Sequence, residues 1–146
     1  MDASTGDFTA TVNRAEAEVL ERELSDGRTK FWLRNLPRKS WALCVPYEVD
    51  GEQRAMYPDF LFLREQGGQL VVDVIEPHTI SLADAPAKAA GLAKFAGLHA
   101  DEFGRIELIL IDGSVTKRLD LVDEAVRNRL RAVKVPEQLR EIMREG

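Results

Sequence analysis

This sequence contains a single cysteine, Cys44, and that scarcity excludes both a disulfide framework and a multi-cysteine zinc cluster. Within the apolar run WALCV it reads as a small buried hydrophobe. Long apolar runs are missing too. Nothing approaches the roughly 18 to 20 residues that span a bilayer, and the opening MDASTGDFTA has no signal-peptide pattern. Residues 1–12 are expected as a flexible tail and the compartment as the cytoplasm. Histidine occurs only twice, and no Ser-His-Asp set, Walker loop or dinucleotide fingerprint can be assembled. Positive charge is also short: 20 lysines and arginines face 25 acids, a net charge of −5. Phosphate binding would therefore need a local basic patch, because the molecule as a whole repels polyanions.

What remains is the composition of an ordinary globular chain, 45% apolar and 31% charged over 146 residues, enough for one core. Residues 13–146 read as a single domain without repeats or linkers. Asn13 followed by Glu16 is a capping-box pattern opening a helix in which Val19, Leu20 and Leu24 form the apolar stripe. TKFWLRN, SWALCVPYEV, RAMYPDFLFLRE and QLVVDVIE read as four strands, joined through Leu36–Lys39, Asp50-Gly51 and Gly67-Gly68, with Pro77 ending the last. An alanine-rich helix from Ala85 to Leu98, the apolar strand RIELILID, and the helices LVDEAVRNRLRAV and EQLREIMRE complete the order α-β-β-β-β-α-β-α-α. That order implies an α/β (α+β) domain with a mainly antiparallel mixed sheet, one crossover, and flanking helices.

Two aspartates interrupt the most hydrophobic hairpin. Asp59 lies in YPDFLFL and Asp73 in LVVDVIE, on arms joined by the Gly-Gly turn. Two carboxylates about 4 Å apart repel by a few kcal/mol at an effective dielectric near 20. A hard divalent cation, Mg²⁺ or Mn²⁺, removes that repulsion. Taken singly, each acid reads first as structural, a turn residue or an arginine's partner; taken together, on paired arms, they point to a site. Glu76 alternates to the opposite face from Asp73 on a regular strand. His78 follows in the Glu-Pro-His sequence, where it can hold a loop or meet a phosphate, and His99 falls near a helix end. A basic segment runs from Arg28 through Lys30, Arg34 and Arg38 to Lys39, with no acid among them and Phe31 and Trp32 interleaved. It reads as a solvated strand edge or as a grip on a nucleic-acid backbone.

A helical Glu, then Pro58-Asp59 at a strand, a hairpin, and an acid on the next strand resembles the PD-(D/E)xK nuclease superfamily, with Asp73-Val74-Ile75 aligned to the second element. The wider context, from FWLRNLPRKSW through YPDF to VVDVIEPHTISLADAPAKAAGLAKFA, is similar to the C-terminal nuclease-like domain of type III restriction-type enzymes and related DEAD/DEAH helicases. It covers most of the chain after residue 13. The resemblance implies a restriction-endonuclease-like core and a Mg²⁺-dependent endonuclease acting on DNA beside a helicase. Asp59, Asp73, the Val74 carbonyl and Glu16 would hold the metal. Arg34, Arg38, Lys39 and His78 would contact the nucleic acid.

One departure stands out. Ile75 occupies the usual lysine position. Lys88, on the side of the alanine-rich helix shared by Ala85, Leu92 and Phe95, is the candidate replacement, whereas Lys94 points away. The alternative that Ile75 supports is a catalytically silent fold used for DNA binding or protein docking.

Overall fold

The computed structural model describes residues 12–145. Helix α1 (Arg14–Leu24) begins as its capping box requires. Glu16 N–H donates to Asn13 Oδ1 at 2.9 Å, and Asn13 N–H to Glu16 Oε2 at 3.0 Å. Five strands form the main sheet: β1 (Thr29–Arg34), β4 (Phe60–Gln66), β5 (Gln69–Thr79), β6 (Ile106–Asp112) and β7 (Val115–Asp120), in the spatial order β1-β4-β5-β6-β7. Every adjacent pair is antiparallel except β5 and β6, which run parallel because α2 (Ala85–His99) carries the chain back between them. A separate hairpin of β2 (Val45–Val49) and β3 (Glu52–Met56) packs on α2. Helices α3 (Glu124–Arg131) and α4 (Pro136–Arg144) complete that side.

Strand alternation divides the core between the two faces of the sheet. On one face Phe60, Phe62, Ile75 and Ile109 meet Val19 and Leu20 of α1. On the other, Val74, Leu108 and Leu110 meet Ala89, Leu92, Ala93 and Ala96 of α2, with Leu130 and Leu139 behind. The alanines let α2 lie close, and Gly91 brings it closest. A Cβ there would stand 2.5 Å from Tyr47 Cβ and 3.0 Å from the Pro46 carbonyl oxygen.

Four features differ from the sequence expectation. The run RAMYPDFLFLRE splits into β3 and β4 at Tyr57–Asp59, since Pro58 has no donor and Asp59 N–H goes to a side chain. Pro77 does not end β5. The β4 ladder stops at Phe60–Ile75, so beyond it β5 pairs only with β6 and a missing N–H costs no bond to β4. VTKRLD, polar and short, is the edge strand β7 that apolar patterning does not reveal. Cys44 is exposed, lying in the loop ahead of β2. The tail expectation for residues 1–12 falls outside the described residues except for Val12, which packs against the α1-side core.

Candidate active site

The end of β4–β5 where the ladder opens is also where the acids gather. A cavity of about 390 Å³ lies beside the C-terminal ends of β5 and β6, walled by Glu16, Asp59, Glu76, His78 and Lys88 among others. Clefts outside the carboxyl ends of parallel strands are the usual ligand position in open α/β sheets. Glu76, freed from a β4 neighbour, reaches across so that Asp59 N–H donates to its Oε2 at 2.8 Å. Burial and the nearby charges of Glu76 and Glu16 push the Asp59 carboxyl up to about 7, against the weaker pull of Arg34 and Lys88. The cavity thus disfavours ionisation of this acid, through burial first and neighbouring negative charge second. His78 is 8% exposed, its Nδ1 lies 3.8 Å from Glu76 Oε1, and its Nε2 has no hydrogen-bond partner among the described residues.

Asp73 is not part of this group, which corrects the expected convergence with Asp59. Fully buried on the α1 face, it is held by Arg64 Nε at 2.8 Å, Arg105 Nε at 2.8 Å and the Arg105 backbone N–H at 2.7 Å. Burial alone would raise its pKa, but these donors hold it below the usual carboxylate range. Glu23 and Glu107 extend the cluster through Arg105 and Arg118, tying α1, β4, β5, β6 and β7 together. Gly104 is the close-approach residue, because an added Cβ would overlap Asp73 Oδ1. This acid is structural.

A protein-family model, the YagJ family, matches residues 1–144. The chain belongs to the YagJ family. Protein YagJ of Escherichia coli (strain K12) is 36% identical over 126 residues, an alignment covering 85% of this chain and 51% of that protein. The chain therefore spans about half the length of this relative. Among solved structures, the crystal structure of SSO0001 covers 80% of this chain and 54% of its own at 19% identity. The TM-score is 0.34.

In this YagJ-family chain the other expected site residues divide cleanly. Lys88 does reach the cavity. Its Nζ lies 3.2 Å from Asp84 Oδ2 and 5.9 Å from the centre of the Tyr47 ring. Val74 does not, since it is buried in the α2-side core between β4 and β6, upstream of the opening. Glu16 lines the cavity but is already engaged by its own cap and by Arg34, whose Nη1 and Nη2 donate at 2.8 and 3.1 Å. Burial works to raise the Glu16 pKa, yet the Arg34 and Asn13 hydrogen bonds win and lower it. Arg34 is correspondingly spent. It serves Glu16 and stands 4.0 Å from Asp59 Oδ1, so it is not a free phosphate contact. Arg38 and Lys39 are exposed on the loop that follows Asn35.

Glu76 is the acid that sequence reasoning passed over. Strict alternation set it on the wrong side for Asp73, but it is on the right side for Asp59 once the strand break at Pro58 is known. A signal was present in Glu76-Pro77-His78, an acid and a basic nitrogen two residues apart at a strand end. Among the described residues no group of three or more His, Cys, Asp or Glu side chains is placed to hold a metal ion.

Proposed function

We propose that this chain is a metal-dependent phosphodiesterase domain acting on DNA, with its acids at Asp59 and Glu76. The observation that carries the reading is the meeting of Asp59, in the break ahead of β4, with Glu76 on β5, through the Asp59 N–H, in a cavity that also holds Lys88 and the partnerless His78 nitrogen. The mixed sheet with one parallel pair fits a restriction-endonuclease-like core, and the (D/E)xK element would then fall on Glu76-Pro77-His78. His78 replaces the lysine there, and Ile75 is simply a core residue.

Asp59 and Glu76 would hold a divalent cation, Mg²⁺ or Mn²⁺, which would supply Lewis acidity toward phosphate and water. The chain's own groups do the rest. Lys88 offsets negative charge accumulating on the phosphate, from a helix rigidly packed on the sheet. His78, with one ring nitrogen near Glu76 and the other unpaired, can hold a water or a phosphate oxygen by hydrogen bond. Arg38 and Lys39 grip the backbone outside. Strand separation, where a substrate requires it, is work for a helicase partner.

Incubation with single-stranded and duplex DNA in Mg²⁺, Mn²⁺ or EDTA tests this. Cutting should require metal and vanish in Asp59→Asn and Glu76→Gln while both variants keep their fold. Full activity in Glu76→Gln would refute the assignment. The silent docking or DNA-binding module has one observation in its favour: Arg34 already neutralises Glu16 and sits beside Asp59. Metal-insensitive DNA binding without cleavage would establish it.

A further inference from the structure

The loop between β1 and β2 is held open by one residue. Asn35 is 3% exposed, and its side chain spans the loop base: Nδ2 donates to the Leu43 carbonyl at 2.8 Å and Oδ1 accepts from Leu43 N–H at 2.9 Å. Its backbone N–H donates to the Asp59 carbonyl at 2.9 Å, so the loop base is tied to the cavity's central acid. Inside this clasp, residues 36–41 are all exposed, with Arg38 in the left-handed region at φ 63° and Ala42 N–H closing a turn onto the Lys39 carbonyl. Pro37 forms part of the cavity wall. Beyond it stand Arg38, Lys39 and Trp41, the indole being 50% exposed. From Gly27 to Tyr47 there is no acid, in a chain whose net charge is −5.

A large aromatic left in water on a clasped, basic loop, four residues beyond the cavity-wall Pro37, has the composition of a base-stacking platform. We infer that this loop binds single-stranded nucleic acid, with an unpaired base stacked on Trp41 and the adjoining backbone held by Arg38 and Lys39 as it enters the cavity. The inference rests on the phosphodiesterase reading for the direction of the strand, but not for the binding itself. A single strand is favoured over a duplex on two grounds. Base faces are available for stacking only where they are unpaired. Arg34 being committed to Glu16, the loop offers only Arg38 and Lys39 as free cations, too few for the many phosphates a duplex reader contacts.

The test uses Asp59→Asn protein in EDTA, so that cleavage plays no part. Fluorescence anisotropy would follow labelled oligothymidylate and a blunt duplex of equal length at low salt. Single strands should bind more tightly than duplex. Trp41→Ala should weaken the single strand about tenfold or more, as loss of one stacked base does, with Trp41→Phe keeping most of the affinity. Equal affinity for both forms, no binding of either, or an unchanged Trp41→Ala protein would overturn the inference. Single-strand preference with no metal-dependent cutting in the unmodified protein would instead sink the hydrolase and leave this loop's role standing. Cutting that ignores Trp41 in both binding and rate would do the reverse.

Discussion

Asp59 is held at the point where burial and repulsion from Glu76 and Glu16 leave its proton in balance near neutrality. In metal-free protein the folded carboxyl keeps its proton up to about pH 7, whereas the unfolded chain releases it near 3.8. The folded state therefore binds more protons across that interval, and this residue's contribution to stability falls as pH rises from about 4 to about 7. Asp59→Asn should abolish the loss. In EDTA it should gain stability over the unmodified protein at pH 8, by about 2 kcal/mol after solvent screening, and little at pH 4. Chemical denaturation at the two pH values measures this, and an equal effect at both would contradict it. The same residue makes a prediction about cations. A divalent ion can bind only the ionised acid, so binding at pH 7 should release about half a proton. Calorimetry in buffers of different ionisation enthalpy would detect that release, and Asp59→Asn should remove it. At this scale the sequence was half legible. An acid inside YPDFLFL advertised Asp59, but only coordinates separate Glu76, which reaches it, from Asp73, which does not.

Among the elements, α1 and the sheet are joined as much by charge as by apolar contact. Asp73 receives Arg64 and Arg105, and Arg105 also holds Glu23 of α1. Removing Asp73 would leave Arg64 buried without a counter-charge. Asp73→Ala should accordingly cost about 3 to 5 kcal/mol in denaturant unfolding, with a comparable loss in DNA cutting only as far as folding is lost. Gly104→Ala should cost about 1 to 3 kcal/mol by pressing a methyl group on Asp73 and, at 3.0 Å, on Val71 Cγ2. A variant of either kind with normal stability would show that the ion-pair cluster contributes little. On the opposite face, Gly91→Ala should lever the β2–β3 hairpin off α2, because the atoms it meets are Tyr47 Cβ and backbone rather than a yielding side-chain tip. Helices and buried strands were readable here because their periods survive in the apolar pattern, as in RIELILID or the capped start at Asn13. Polar β7 and the break at Pro58 were not. Their strandedness and interruption depend on which neighbour supplies hydrogen bonds, a long-range fact that local composition does not encode.

For the molecule as a whole, the proposal of a polyanionic substrate must be reconciled with a net charge of −5. The reconciliation is spatial. Beside the cavity Arg34 is consumed by Glu16, and in the separate Asp73 cluster Arg105 and Arg118 are consumed by Glu23 and Glu107, so the sheet presents little unbalanced charge. Arg38 and Lys39 on the loop and Lys88 in the cavity are left to face phosphate, the last sharing itself with Asp84. Among the described residues no helix is long and apolar enough to cross a membrane. Three contacts of this kind predict weak salt sensitivity. Each phosphate neutralised on a single strand contributes about −0.7 to the slope of log affinity against log salt, so the slope should be about −2. Arg38→Ala and Lys39→Ala should each make it shallower by about 0.7, whereas Arg34→Ala should leave it unchanged and instead lower stability by stranding Glu16. Titrations of oligothymidylate between about 20 and 200 mM salt would measure the slope. A value of −5 or steeper would mean that a broad basic surface, absent from this reading, carries the nucleic acid, and that the loop beside the cavity is incidental.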